Sequence, residues 1–202
     1  DLHSFPTRRS SDLEPEAEWG SQDFDEKRFP SPDSMIDVLH KKYNTRIMIS
    51  VWPKFYEGIS AYNEFDKKGW LYKKNIADRQ RDWIGQGYVS TFYDAFNEDA
   101  RKGFWSLINK KIYSKGIDAW WMDASEPDIL SNVDPEKRKL QMSPTALGSA
   151  AEYLNAYPLQ NAKGIYEGQR STDPDKRVFL LTRSGFAGSR SEERRVGKEC
   201  RS

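Results

Sequence analysis

Residues 117 to 128 read IDAWWMDASEPD. Ile117 to Met122 is an apolar run of strand length, followed at once by three acidic residues, Asp123, Glu126 and Asp128. Upstream, Asn97 can cap a helix running to about Lys115, with Phe104, Leu107, Ile108 and Ile112 inward and Gly116 ending it. The same alternation recurs on both sides. Ser31-Pro32 starts a helix, with Ser31 as N-cap and Pro32 at its first position, and Met35, Ile36, Leu39 and Tyr43 share one face. Arg46 to Val51 (RIMISV) is a strand ended by Trp52-Pro53. A later helix covers about Ala146 to Tyr166, and Arg177 to Leu181 (RVFLL) is the third strand. Strands separated by helices imply a parallel sheet with right-handed crossovers. The carboxyl ends of such strands hold the active site in barrels and open α/β sheets alike. Here those ends carry Trp52, then Asp123 to Asp128, then Arg183-Ser184. Lys54 to Val89, aromatic, charged and interrupted by Gly58, Gly69, Gly85 and Gly87, is expected to be a long functional loop.

The composition narrows the classes further. A net charge of +1 gives no electrostatic footprint for nucleic acid or an anionic membrane. No stretch approaches the roughly 20 apolar residues of a membrane span. Seven Trp in a chain of mean hydropathy −0.87 suggest a large core or a sugar-binding surface, because flat apolar rings stack on the C–H faces of pyranoses. At 202 residues the chain is short of the roughly 250 typical of a complete α/β barrel.

The two ends read differently from the middle. Residues 1–13 (DLHSFPTRRSSDL) and 190–202 (RSEERRVGKECRS) have neither helical nor strand periodicity. Both resemble translated sequencing-adapter sequence; genuine disordered termini are the alternative. Residues 14–189 are then the genuine domain sequence. The head carries two Arg and two Asp and the tail five basic and three acidic residues, so setting them aside moves the net charge from +1 to −1. The lone cysteine, Cys200, goes with the tail, which leaves no disulfide in the domain and the redox compartment open.

A carboxylate flanked by indole rings is an odd choice for packing, since burying an unpaired charge costs several kcal/mol. It is sensible where a cation develops during reaction, and glycosidic cleavage passes through an oxocarbenium-like transition state that a carboxylate can stabilise or attack. A carboxylate capping the next helix or paired with a lysine is the purely structural reading.

The run Trp121 to Pro127 (WMDASEP) resembles the nucleophile signature of glycoside hydrolase family 31. FDEKRFPSPDSM (Phe24 to Met35) is similar to the family's approach to its third barrel strand, and RIMISVWP to that strand itself. YDAFNEDA (Tyr93 to Ala100) resembles the entry to the next helix, and TRSGFAGS (Thr182 to Ser189) the end of the fifth strand. The resemblance implies a fragment of a (β/α)8 TIM barrel covering about strands 3 to 5. The phrases KYNTRIMISVWPKFYEG, STFYDAF and YEGQRSTDPDKRVFLLTRSGFAG look most like bacterial α-xylosidases, which release xylose from xyloglucan oligosaccharides.

The same resemblance implies the roles. Asp123 would be the nucleophile of a double displacement. Arg183 would contact the sugar in the −1 subsite, with an ordinary strand-end salt bridge as the plain alternative. Trp52 would form that subsite's aromatic wall, with a core indole as the alternative. Trp121 and Met122 would line the pocket, and Trp121 shares a strand face with Asp123. Glu126 and Asp128 would hold the loop. His40 reads as a surface residue. The second carboxyl, the acid/base, would follow the sixth strand and is absent from this fragment; Asp173 and Asp175 precede the fifth strand and are rejected. No metal or cofactor is required, and the partner is an oligosaccharide substrate in a bacterial, plant-polysaccharide-degrading setting. An α-glucosidase or α-glucosyltransferase of the same family is the nearest competitor. A non-catalytic carbohydrate-binding module fits the strand–helix alternation poorly, since such modules are usually β-sandwiches. Two open sheet edges lead to the expectation that the isolated chain is unstable and inactive.

Overall fold

A computed structural model describes residues 21–81, 88–127 and 134–185. In chain order it forms α1 (Pro32–Tyr43), β1 (Met48–Val51), β2 (Lys54–Tyr56), α2 (Ser60–Lys67), α3 (Lys73–Ala77), β3 (Ser90–Phe92) and α4 (Glu98–Lys111). There follow β4 (Ala119–Met122), α5 (Pro135–Gln141), α6 (Ala150–Tyr153), α7 (Tyr157–Thr172) and β5 (Leu180–Thr182). The adapter-like ends and Asp128 lie outside the described residues. Among those described, no helix is long and apolar enough to cross a membrane.

The expected parallel sheet is present, in the order β1-β4-β5. Val51 pairs with Met122, which pairs in turn with Thr182. Ile49, Val51, Trp120 and Met122 are 0–1% exposed and face the covering helices. On the other face Met48 and Leu181 are exposed, and Ser50 and Trp121 are half-buried. One face is therefore a packed core and the other an open wall. α4 and α7 lie against each other beneath the sheet, and the Trp105 ring packs edge-on to Trp120 with centroids 6.0 Å apart.

α4 follows its sequence closely. The Asn97 side chain accepts hydrogen bonds from the backbone N–H groups of Asp99 and Ala100 at 2.9 and 3.1 Å, and Phe104, Ile108 and Ile112 are buried. Gly116, at φ +104°, ends the 3₁₀ turn that extends it, a conformation that favours glycine. α1 differs in two details. The Ser31 side chain makes no cap bond, and Tyr43, expected inward, is exposed at the last turn.

The stretch after β1 corrects the long-loop expectation. β2 and β3 form an antiparallel ribbon, and α2 and α3 lie between them in sequence. Phe55 and Phe65 meet at 4.6 Å, and Tyr93 stacks on Phe104 at 4.7 Å. These elements are three to eight residues long, too short for a periodic signature, and their order comes from burying aromatic rings against α4. The third strand also runs later than expected, at Leu180 to Thr182, because its register is set by pairing with β4.

At the amino end of β4, Asp118 gathers basic side chains. His40 Nε2 lies 2.7 Å from its Oδ2, and Arg46 and Lys176 lie 3.8 and 3.7 Å from its Oδ1. The Ile47 N–H donates to Oδ2 at 3.0 Å. His40, read as a surface residue, is thus half-buried as a partner of Asp118. Burial raises the Asp118 pKa, but the Ile47 N–H, His40 and Lys176 outweigh it and hold the carboxyl below its ordinary value. A depressed folded-state pKa contributes stability above the unfolded value of about 3.9, lost as pH falls through the folded value. Thermal melts of the full-length enzyme are expected to lose more midpoint than those of Asp118→Asn between about pH 5 and pH 2.5. Parallel melting curves would show that the cluster carries no such linkage.

Candidate active site

Trp52, Asp123 and Arg183 each stand one residue beyond the mutually paired Val51, Met122 and Thr182. Continuing strand alternation by that one residue puts all three on the open face, together with Trp121. They therefore sit at the carboxyl edge of three adjacent parallel strands, where an α/β barrel places its chemistry.

The Asp123 side chain is 5% exposed, so its charge needs a partner. Arg183 Nε lies 3.1 Å from Asp123 Oδ1 and also 3.1 Å from Glu126 Oε1. One guanidinium N–H thus faces two carboxylates. Half of the Arg183 side chain remains exposed, so the cation reaches the open face as well. Asp123 Oδ1 also accepts from the Ala124 N–H at 2.9 Å. Ala124 has φ +54°, a left-handed conformation that costs an L-residue about 1–2 kcal/mol. The chain turns sharply there, and the surrounding contacts hold the strain.

Trp52 is 6% exposed and belongs to the core cluster. Its carbonyl accepts from the Gln22 amide at 2.8 Å, and Lys54 Nζ lies 5.0 Å from its ring centroid. Met122 corrects the sequence reading. It is 1% exposed and lies on the helix-covered face with Val51 and Trp120, because it is out of phase with Trp121 and Asp123 by one residue. Glu126 is half-buried and its Oε1 touches Arg183. Asp173 accepts from the Tyr113 hydroxyl at 3.2 Å before β5, at the opposite edge of the sheet. A cleft of about 590 Å³ at the start of α1, lined by Phe24, Phe29, Pro32 and Lys115 among others, shares no residue with the Asp123 cluster. Among the described residues no group of three His, Cys, Asp or Glu side chains is arranged to hold a metal ion.

One feature of the site has no local signal in its motif. Ser125, fully buried, receives a hydrogen bond from Asn161 Nδ2 on α7 at 3.2 Å. The hint lies elsewhere: the buried positions of α7 run Tyr157, Pro158, Asn161, Gly164, Ile165 and Gln169, an apolar stripe interrupted by two amides.

Parallel strands covered by helices, with a carboxylate–guanidinium cluster at their carboxyl edge, place the chain in the α/β class that carries its chemistry at strand ends. The glycosyl hydrolases family 31 TIM-barrel domain matches residues 10–193, and the chain belongs to that family. The crystal structure of the family 31 α-xylosidase from Xanthomonas citri superposes with a TM-score of 0.80 at 50% sequence identity, over 85% of this chain and 18% of that one. An α-xylosidase of Saccharolobus solfataricus is 36% identical over 179 residues, 84% of this chain and 21% of that protein. An α-glucosidase of the same organism is 28% identical over 191 residues, 80% of this chain and 26% of its own length. The chain thus spans about a fifth to a quarter of the curated relatives named here.

Proposed function

We propose that this segment supplies the nucleophile of a retaining α-glycosidase, and that the whole enzyme is an α-xylosidase acting on xyloglucan-type oligosaccharides. The observation that carries the mechanism is Asp123 at the carboxyl edge of β4, buried and ion-paired with Arg183 at 3.1 Å. Asp123 Oδ attacks the anomeric carbon as the bond from that carbon to the leaving oxygen breaks. The departing oxygen takes a proton from a second carboxyl, about 5–5.5 Å away in retaining enzymes. Water then attacks the same carbon, gives its proton to that carboxyl and releases Asp123, so two inversions leave the configuration retained. The acid/base role is assigned to none of residues 14–189.

Arg183 serves two ends in this scheme. Its charge keeps two neighbouring carboxylates compatible, and its half-exposed side chain contacts the sugar. Trp52, mostly buried, and Trp121 supply apolar walls on the same face as Asp123.

The xylosyl assignment rests on the likeness to α-xylosidases; the α-glucosidase relative favours the second reading, the same chemistry on a sugar bearing an extra hydroxymethyl. The test is turnover of p-nitrophenyl α-xyloside against the α-glucoside by the full-length enzyme carrying this segment. A kcat/KM at least about 10-fold higher for the xyloside is expected, since one pocket contact against a small group is worth about 1–3 kcal/mol. A preference for the glucoside would transfer the assignment to the second reading and leave Asp123 in place.

A further inference from the structure

The loop after β4 is tied to α7 and to the residue after β3 by a run of buried hydrogen bonds. The Tyr93 hydroxyl donates to Asn161 Oδ1 at 2.7 Å, and Asn161 Nδ2 donates to Ser125 Oγ at 3.2 Å. Ser125 Oγ in turn lies 3.3 Å from the Asp123 carbonyl and 3.5 Å from that of Met122. At the far end the Tyr157 hydroxyl donates to the Tyr93 carbonyl at 2.9 Å. Tyr93, Ser125 and Tyr157 are fully buried and Asn161 is 1% exposed, so none of these bonds is exchanged with solvent.

The bonds have a direction. Burial holds the Tyr93 and Tyr157 phenols above their ordinary range, so both remain O–H donors at working pH. The Asn161 oxygen is occupied by Tyr93, so its amide nitrogen faces Ser125. Ser125 therefore accepts from Asn161 and has its own proton left for the main-chain carbonyls of β4's end. A hydroxyl alone could turn away; with its oxygen engaged by the amide, its proton is left to the carbonyls of Asp123 and Met122, of which Asp123 is the nearer. The strained turn at Ala124 lies directly between the two residues.

We propose that Asn161 is a positioning residue, which holds the backbone of Asp123 through Ser125 so that the carboxylate keeps its line to the anomeric carbon. The inference rests on Asp123 being the nucleophile. It is specific to the amide. Aspartate at 161 has no N–H, so the Ser125 proton would turn toward it and release the Asp123 carbonyl, although size and burial are unchanged.

The test uses the full-length enzyme and whichever nitrophenyl glycoside it cleaves faster. Asn161→Asp and Ser125→Ala are each expected to lower kcat by roughly 10- to 100-fold, the loss a small displacement of a reacting group causes. KM should stay within about threefold, because the sugar contacts are untouched. The double variant should be no slower than the slower single, as both cut one chain of bonds. A fluorosugar fluoride that forms a long-lived ester with the nucleophile, its C1–F bond breaking as the C1–O bond forms, should still label Asp123 in Asn161→Asp, but more slowly. If Asn161→Asp fails to fold, Tyr93→Phe removes one hydroxyl and should give the same kcat-selective loss. Wild-type kcat in the folded variants, or losses that multiply in the double variant, would overturn the positioning role. A label on another residue in the wild type would instead overturn the nucleophile assignment on which it rests.

Discussion

Asp123→Ala in the full-length enzyme is expected to lower kcat/KM by about 10⁴-fold or more, the scale on which loss of a covalent catalyst is felt. Among the described residues no neighbour can replace it. Glu126 is held against Arg183, and Asp173 is on the opposite edge of the sheet. The fold should tolerate the change, because Arg183 keeps Glu126 as a partner and the strand pairing of Met122 with Val51 and Thr182 does not involve the lost carboxylate. The variant should therefore melt near the wild type and remain inactive. Added azide, small enough to occupy the vacated space, should restore turnover on an activated substrate and give the glycosyl azide of inverted configuration. Activity above about 1% of wild type without azide would remove Asp123 from the mechanism.

The second large effect is on stability and comes from a residue with no side chain. Gly168 lies near the C-terminal end of α7 (Tyr157–Thr172), where propensity alone predicts that alanine would stabilise by about 1 kcal/mol. Packing predicts the reverse. A Cβ there would lie 2.2 Å from Trp105 Cγ and 2.5 Å from its Cδ2. The indole has little room to retreat: its Nε1 donates to Thr172 at 3.0 Å, and its ring is set against Tyr113 and Trp120. Gly168→Ala must push α7 away from α4, and a loss of about 3 kcal/mol is expected, at the upper end for overpacking. Denaturant midpoints of the two proteins decide it. An alanine variant as stable as the wild type would show that the helix contact is looser than the glycine implies.

Much of this architecture was legible in the chain itself. Helix α4 announces both of its ends, through Asn97 and Gly116, and its apolar face has the 3.6-residue period throughout. The strands are readable as apolar runs of limited length, and the acidic cluster after β4 is visible as a break in that run. The hairpin and the two short helices between β1 and α4 were not readable. Segments of three to eight residues carry little periodicity, and Gly58 and Gly69 suggest a loop. Ring packing against α4 decides their form.

The sequence by itself determined the order of the three parallel strands with helices α1 and α4, the carboxylate after the second predicted strand and the family, because all three reside in local pattern and motif. Only the tertiary structure decided which residues share a face and a level. The register of β4 between β1 and β5 aligned Trp52, Asp123 and Arg183 at one edge and turned Met122 away from them, since a one-residue step in a strand reverses the side chain. It also brought Asn161 to Ser125, 36 residues apart, and Asp118 to His40, 78 apart. Hydrogen bonds between such distant residues form only when helices settle onto the sheet, and no local pattern encodes where they will meet.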